Sequence, residues 1–295
     1  MKKAFLLFFV MLSVSLMQAK TALVIIAHGS PSHAWNGPVL RLESKLDSLH
    51  IPGIDYCRVA LMEYSEPHIA TVMADCERQH VDTVFALPLF IQPSSHSEQD
   101  IPNILGLRYN AMTQAELKEE GLATVHTSMH VVEGPTLAYG DLLQRCLLKQ
   151  VENLSKDPDN EALLILAHGD PEYLGFWEAM LAESAEYVRQ HTKITHIGTG
   201  LVEMGQQMVT DVSPLLQDAA KHKRRILVQG VYLTSSVYGM AARFGLIRQQ
   251  SDILKAYPST EVVYGKTGLL PDFTDDICQW IVATTREWKS GVYQN

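Results

Sequence analysis

The chain has 295 residues, of which 46% are hydrophobic and 19% charged, and its formal net charge is -9. That length suits one large domain or two modest ones, and the composition is that of an ordinary globular protein. The acidic balance argues against a generic nucleic-acid binder, which normally presents a basic face.

The amino terminus, "MKKAFLLFFVMLSVSLMQAK", sets Lys2 and Lys3 before an apolar run from Ala4 to Met17, with the small Ala19 after it. Residues 1–19 read as a secretory signal peptide, with a buried first strand or an uncleaved anchor as the alternatives. The run falls short of the about 20 residues that a membrane-spanning helix needs. No later stretch is long and apolar enough to span, so no stable membrane insertion is expected. The expectation is an exported, periplasmic, soluble protein. Cys57, Cys76, Cys146 and Cys278 form no C-x-x-C pair, which weighs against a zinc knuckle. Export permits disulfides, but the sequence chooses no pairing, and mostly buried thiols are expected.

Apolar, β-rich runs follow at "TALVIIAH", "IDYCRVALM", "DTVFALPLFI" and "ATVHTSMHVV". Between them lie segments with helical spacing, such as Val39 to Leu49 and Ile69 to Arg78. After a polar linker at residues 152–160, the order repeats with "ALLILAH", "THIGTGLV", "RRILVQGVYL" and "TEVVYG". The internal repeat governs the fold reading. Strand alternating with helix implies parallel sheets with helical crossovers. The expected fold is α/β: two duplicated, doubly wound lobes with parallel four-stranded sheets, at residues 20–151 and 161–295, and a cleft between them.

Ligands of open parallel sheets bind beyond the carboxyl ends of the strands. There stand His28 and Ser30 after the first strand, Glu63 and Tyr64 after the second, and His96 on the loop "QPSSHSEQDIP" after the third. Two neutral imidazoles and a carboxylate suit a divalent first-row metal, and three protein ligands leave positions open for exchange. Any one of these histidines alone would more simply be a hydrogen-bonded strand-end residue.

In the second repeat, His168 and Glu203 keep the 35-residue spacing of His28 and Glu63, and Tyr238 aligns with His96. A phenol, with its pKa near about 10, is the poorer ligand. The second site is therefore read as degenerate.

These residues resemble the class II tetrapyrrole chelatases of the CbiX/SirB type, the sirohydrochlorin cobalto- and ferrochelatases. The resemblance runs over almost the whole chain after the leader. It rests on "AHGS", on "MEYSEP" in place of the family's usual Phe-Leu-Glu…Glu-Pro segment, and above all on "ALPLFIQPSSHSEQDIP". It implies that His28 and His96 bind the metal and assist deprotonation of the macrocycle, with Glu63 as a further ligand. It also implies a divalent metal substrate (Co2+, Fe2+ or Ni2+), a tetrapyrrole partner and no ATP; no G-x-x-x-x-G-K-S/T loop is present. Protonating the histidines should oppose metal loading, so activity is expected to fall on the acid side.

The export signal departs from the family's cytoplasmic habit. Further candidates for substrate contact are Ser30, His33, Tyr238 and Arg243, with Arg248 and His130 behind them; solvated or packed side chains are the simpler readings. Met129, Met204 and Met208 are candidates to line an apolar ring pocket, or plain core. "KHKRR", Lys221 to Arg225, reads as a solvated charge run. An alternative function is carriage of haem or another metallo-tetrapyrrole, since tyrosinate can ligate ferric haem. A hydrolase at the "HGS" turn lacks a G-x-S-x-G elbow. Oligomeric state is not legible.

Overall fold

The computed structural model describes residues 19–203 and 207–292. Residues 1–18 of the expected signal peptide (1–19) and Met204 lie outside the described residues. The first repeat folds as β1 (Thr21–Ala27), α1 (His33–Ser48), β2 (Tyr56–Leu61), α2 (Ile69–Arg78), β3 (Thr83–Pro88), α3 (Ile101–Ile104), α4 (Ala111–Glu119), β4 (His130–Glu133) and α5 (Leu142–Leu154). The second gives β5 (Glu161–Ala167), α6 (Leu174–His191), β6 (His196–Leu201), α7 (Met208–His222), β7 (Arg225–Val231), α8 (Val237–Arg243), α9 (Leu246–Ile253), β8 (Glu261–Tyr264), α10 (Leu269–Asp272) and α11 (Thr274–Lys289). Both sheets are parallel, in the orders β2-β1-β3-β4 and β6-β5-β7-β8. The duplicated α/β fold expected from the sequence is the one observed. None of the described helices is long and apolar enough to cross a membrane.

Strand periodicity decides the layering. Every residue of β1 is buried, and alternate side chains serve different cores. Leu23, Ile25 and Ala27 face a core shared by both lobes, whereas Ala22, Val24 and Ile26 pack outward with Ile69, Val72 and Ile101. In β5, Leu163, Ile165 and Ala167 enter the same shared core, and Ala162, Leu164 and Leu166 face α7. The two sheets thus sandwich a common layer that includes α1, α5, α6 and α11.

The closing helices hold the lobes together. Gln150 of α5 accepts from Gln229 Nε2 of β7 at 2.8 Å, so the last helix of the first repeat packs on the second sheet. In return, Trp288 of α11 stacks on Phe85 of β3 at 4.6 Å, and Lys289 Nζ donates to Thr21 Oγ1 at 3.2 Å. Helix α5 runs to Leu154, so the linker opens with helical residues. All four cysteines are free and buried, and burial is what raises the pKa of each thiol.

Two expectations need correction. Residues 123–129 of the fourth run are not strand; β4 begins at His130, which therefore stands at the amino end, away from the ligand edge. Arg225 is not solvated. It pairs with the fully buried Glu161, whose carboxylate also accepts from Ser155 Oγ at 2.5 Å and from the Lys156 and Asp157 N–H groups. Burial alone would raise the Glu161 pKa, but these four donors outweigh it and hold the carboxyl below its usual range.

Arg225→Leu should therefore lower stability at neutral pH by about 3–5 kcal/mol, read from urea unfolding, because it strands a buried carboxylate. A depressed folded pKa contributes stability above the ordinary glutamate value and loses it as pH falls through the folded value. The gap between wild type and variant should accordingly close on acidification.

Candidate metal centre

The order β2-β1-β3 makes β1 the topological switch point, where a crevice opens at the carboxyl edge. Past the end of β1 the pairing continues: Met62 N–H donates to Ala27 O at 2.8 Å, and Glu63 N–H to His28 O at 2.9 Å. His28 and Glu63 are thereby fixed side by side. The chain then leaves through Gly29 at φ +89, and a Cβ there would lie 2.3 Å from the Glu63 carbonyl oxygen. Gly169 repeats this turn at φ +88 against Leu201. The duplicated Ala-His-Gly has a backbone reason: a left-handed turn pressed onto the neighbouring strand.

His28 Nδ1 donates to the Gly29 carbonyl at 2.9 Å, which leaves the Nε2 lone pair free, 4.0 Å from Glu63 Oε1. His96 opens a single π turn, His96–Asp100, that leads into α3. Its Nδ1 donates to Asp100 Oδ2 at 2.7 Å, so its Nε2 is also a free lone pair. The two rings lie 4.7 Å apart at 72°, and one donor atom each from His28, Glu63 and His96 fall within 4.8 Å of one another. A divalent ion fits this donor set with a modest closing of the side chains. Carboxylate-backed imidazole is the usual support of a metal-binding histidine. The sequence reading missed Asp100, although the i,i+4 spacing "HSEQD" was a signal for it.

Burial lowers the His28 pKa, with His96 and His168 adding repulsion against the Gly29 carbonyl and Glu63. At His96 burial acts the same way, but Asp100, Glu63 and Asp170 outweigh it and the pKa is raised. The mouth is acidic. Glu120 feels Glu63 and Asp100, and burial together with those charges raises its pKa. Tyr64 is 60% exposed with its ring 5.9 Å from that of His28, and Phe90 lies 6.4 Å away on another side.

The second lobe holds this site in place. Asp170 Oδ2 accepts from the Ser95 N–H at 2.9 Å and from Ser95 Oγ at 2.8 Å. Trp177 Nε1 donates to Pro93 O at 3.1 Å, and Gln99 Nε2 to Glu172 at 2.5 Å. Asp170 stands where Ser30 stands in the first repeat, so the drift from "HGS" to "HGD" creates the clamp on the loop that carries His96. A cavity of about 340 Å³ at the edge of the second sheet is lined by second-lobe residues, Asp170, Leu174, Glu203 and Asp211 among them.

His168 and Glu203 sit as His28 and Glu63 do: His168 Nδ1 donates to Gly169 O at 2.6 Å, and Glu203 N–H to His168 O at 2.6 Å. Among the described residues no third imidazole, thiol or carboxylate joins them. Tyr238 is half exposed near the start of α8, its N–H donating to Gly265 O. Ser30 is a turn residue, its carbonyl accepting from Asn36 Nδ2 at 2.8 Å and its hydroxyl from Ser32 N–H at 3.1 Å. His33 is exposed at the first position of α1 and is not one of the three clustered donors. Arg243 is exposed and lies over the ring of Phe244, 5.4 Å from its centroid. Met129 and Met208 are core residues.

Asp100→Asn should weaken divalent-metal binding at the His28/Glu63/His96 cluster by about 10–100-fold with the fold retained. His168→Ala should leave that affinity within about twofold. Isothermal titration with Co2+ reads both.

The CbiX family model matches residues 22–153. Over 86 residues, 29% of this chain, the sequence is 33% identical to the sirohydrochlorin cobaltochelatase of Methanococcus maripaludis and 30% identical to that of Methanocaldococcus jannaschii. The match spans 58% and 59% of those relatives. Among solved structures, SirB from Bacillus subtilis with Fe3+ superposes with a TM-score of 0.65 at 14% identity, covering 91% of this chain and 95% of that one. The CbiX described as the terminal enzyme for siroheme biosynthesis in denitrifying bacteria gives a TM-score of 0.51 at 17% identity, covering 89% and 98%. At such identities these structures speak for the fold alone, and they extend it over both lobes. The first lobe is thus similar to the CbiX family, and the chelatase-like architecture of the solved structures extends over both lobes.

Proposed function

We propose that this protein inserts a divalent metal ion into a sirohydrochlorin-type tetrapyrrole without ATP, using His28, Glu63 and His96 of the first lobe. The observation that carries the reading is the convergence of two imidazole Nε2 lone pairs and one carboxylate at the switch-point edge. Cobalt is the first candidate, since the methanogen relatives are named for it; iron and nickel suit the same donors.

The acidic mouth formed with Asp100, Glu120 and Asp170 favours capture of a cation. The ion then rests on three protein ligands with its remaining positions facing the crevice. Ring nitrogens replace the protein ligands one after another, and two pyrrole protons leave as the charge of the ion enters. The Nε2 of His28, kept neutral by burial, is free to take a pyrrole proton once the ion has moved off it. The exposed ring of Tyr64 and the cavity bordered by Asp170 and Leu174 offer the macrocycle its walls. The lysine-led apolar leader supports action outside the cytoplasm. Carriage of a finished metallo-tetrapyrrole draws no support from the relatives, which are named for chelation.

A visible-absorbance assay with sirohydrochlorin, Co2+ and substoichiometric protein tests the reading. Many equivalents of ring should be converted per chain. His28→Ala or His96→Ala should lose about a hundredfold or more of the rate, and His168→Ala should keep most of it. Equal loss in all three variants contradicts the assignment.

A further inference from the structure

A second trio of metal-capable side chains lies at the opposite end of the second sheet. His196, the first residue of β6, faces Asp218 and His222 of α7, whose i,i+4 spacing sets them on one helix face. His196 Nε2 is 3.4 Å from Asp218 Oδ2, and the rings of His196 and His222 lie 4.9 Å apart. One donor atom from each of the three falls within 4.8 Å of the others. A tetrahedral ion with ligands near about 2.1 Å holds its donors about 3.4 Å apart. Only the exposed Asp218 and His222 need to draw in.

The first lobe shows what normally fills this place. Tyr56 holds the register position of His196, pairing with Ala22 as His196 pairs with Ala162. There the Tyr56 hydroxyl donates to Asp75, and Arg58 Nε donates to the same carboxylate at 3.1 Å. The pocket is closed by a phenol and an internal cation. In the second lobe Gly198 takes the register position of Arg58, pairing with Leu164 as Arg58 pairs with Val24. No guanidinium reaches Asp218 from the strand, and two imidazoles flank it instead. Two lysines stand against a bound cation. Lys221 Nζ is 3.5 Å from Asp218, on the exposed side, and Lys223 Nζ donates to the Asp159 carbonyl. Both charges oppose a bound cation and temper the affinity of the site.

We propose that His196, Asp218 and His222 form a peripheral site for a borderline divalent ion of the Zn2+, Ni2+ or Co2+ class. The donor set of two imidazoles and one carboxylate repeats that of the catalytic centre and is unsuited to Mg2+ or Ca2+. From His196 to the carboxyl edge of β6 the strand alone spans about 17 Å. An ion held here is therefore out of reach of a ring bound at the crevice, and takes no direct part in insertion.

The test is metal stoichiometry on the untagged chain by equilibrium dialysis against Zn2+ and elemental analysis, with circular dichroism to verify folding. Wild type should hold two ions, His28→Ala/His96→Ala one, His196→Ala/His222→Ala one, and the fourfold variant none. Asp218→Asn in the His28→Ala/His96→Ala background should weaken the remaining ion by about tenfold or more. The inference is overturned if the folded His28→Ala/His96→Ala chain holds no ion. It is equally overturned if the fourfold variant retains the one that chain holds.

Discussion

The left-handed turn at Gly29, seated on the carbonyl of Glu63, is the constraint from which the site follows. It ends β1 at the switch point and sends the backbone sharply away. His28 and Glu63 remain joined by a strand-like hydrogen bond beyond the strands themselves. Any side chain at that glycine would collide with the backbone of Glu63, just past the end of β2. The same turn exists at Gly169, so both lobes present a histidine and a glutamate in the same posture. What distinguishes the lobes is the loop after the third strand, where the first delivers His96 on a π turn and the second delivers Tyr238 near the start of an α-helix.

The lobes divide the work. The first supplies converging donors, and its own backbone and carboxylate (Gly29 O and Asp100) fix both imidazole tautomers. The second supplies positioning: Asp170 and Trp177 hold the loop on which His96 stands. The exchange of α5 and α11 across the common core ties the two lobes together, because each half's last helix packs on the other half's sheet. The second lobe, which brings no third donor to His168 and Glu203 among the described residues, still holds the loop that carries His96.

Much of this was legible in the chain itself. Near-continuous Val/Ile/Leu runs ending in Ala-His-Gly announced buried parallel strands with ligand-edge histidines, and the equal spacing of His28–Glu63 and His168–Glu203 announced the duplication. The strand ends were less readable where hydrophobicity was diluted. "ATVHTSMHVV" alternates enough to suggest a full strand, but β4 starts only at His130, and with it His130 moves to the wrong edge. Contacts between distant segments left no local trace. Nothing in "KHKRR" shows that Arg225 neutralises a buried glutamate 64 residues earlier, and nothing in "HGD" shows that Asp170 reaches Ser95. Those partners are chosen by how the sheets pack, which periodicity within either repeat does not encode.

If one lobe alone holds a complete ligand set at the crevice, a metal ion should settle at one of the two histidine–glutamate pairs and not at the other. An anomalous difference map from crystals of the protein soaked in Co2+, recorded at the cobalt edge, tests it most directly. A peak is expected within bonding distance of His28 Nε2, His96 Nε2 and the Glu63 carboxylate, and none between His168 and Glu203. A peak between His168 and Glu203, with none at the first lobe, would contradict it.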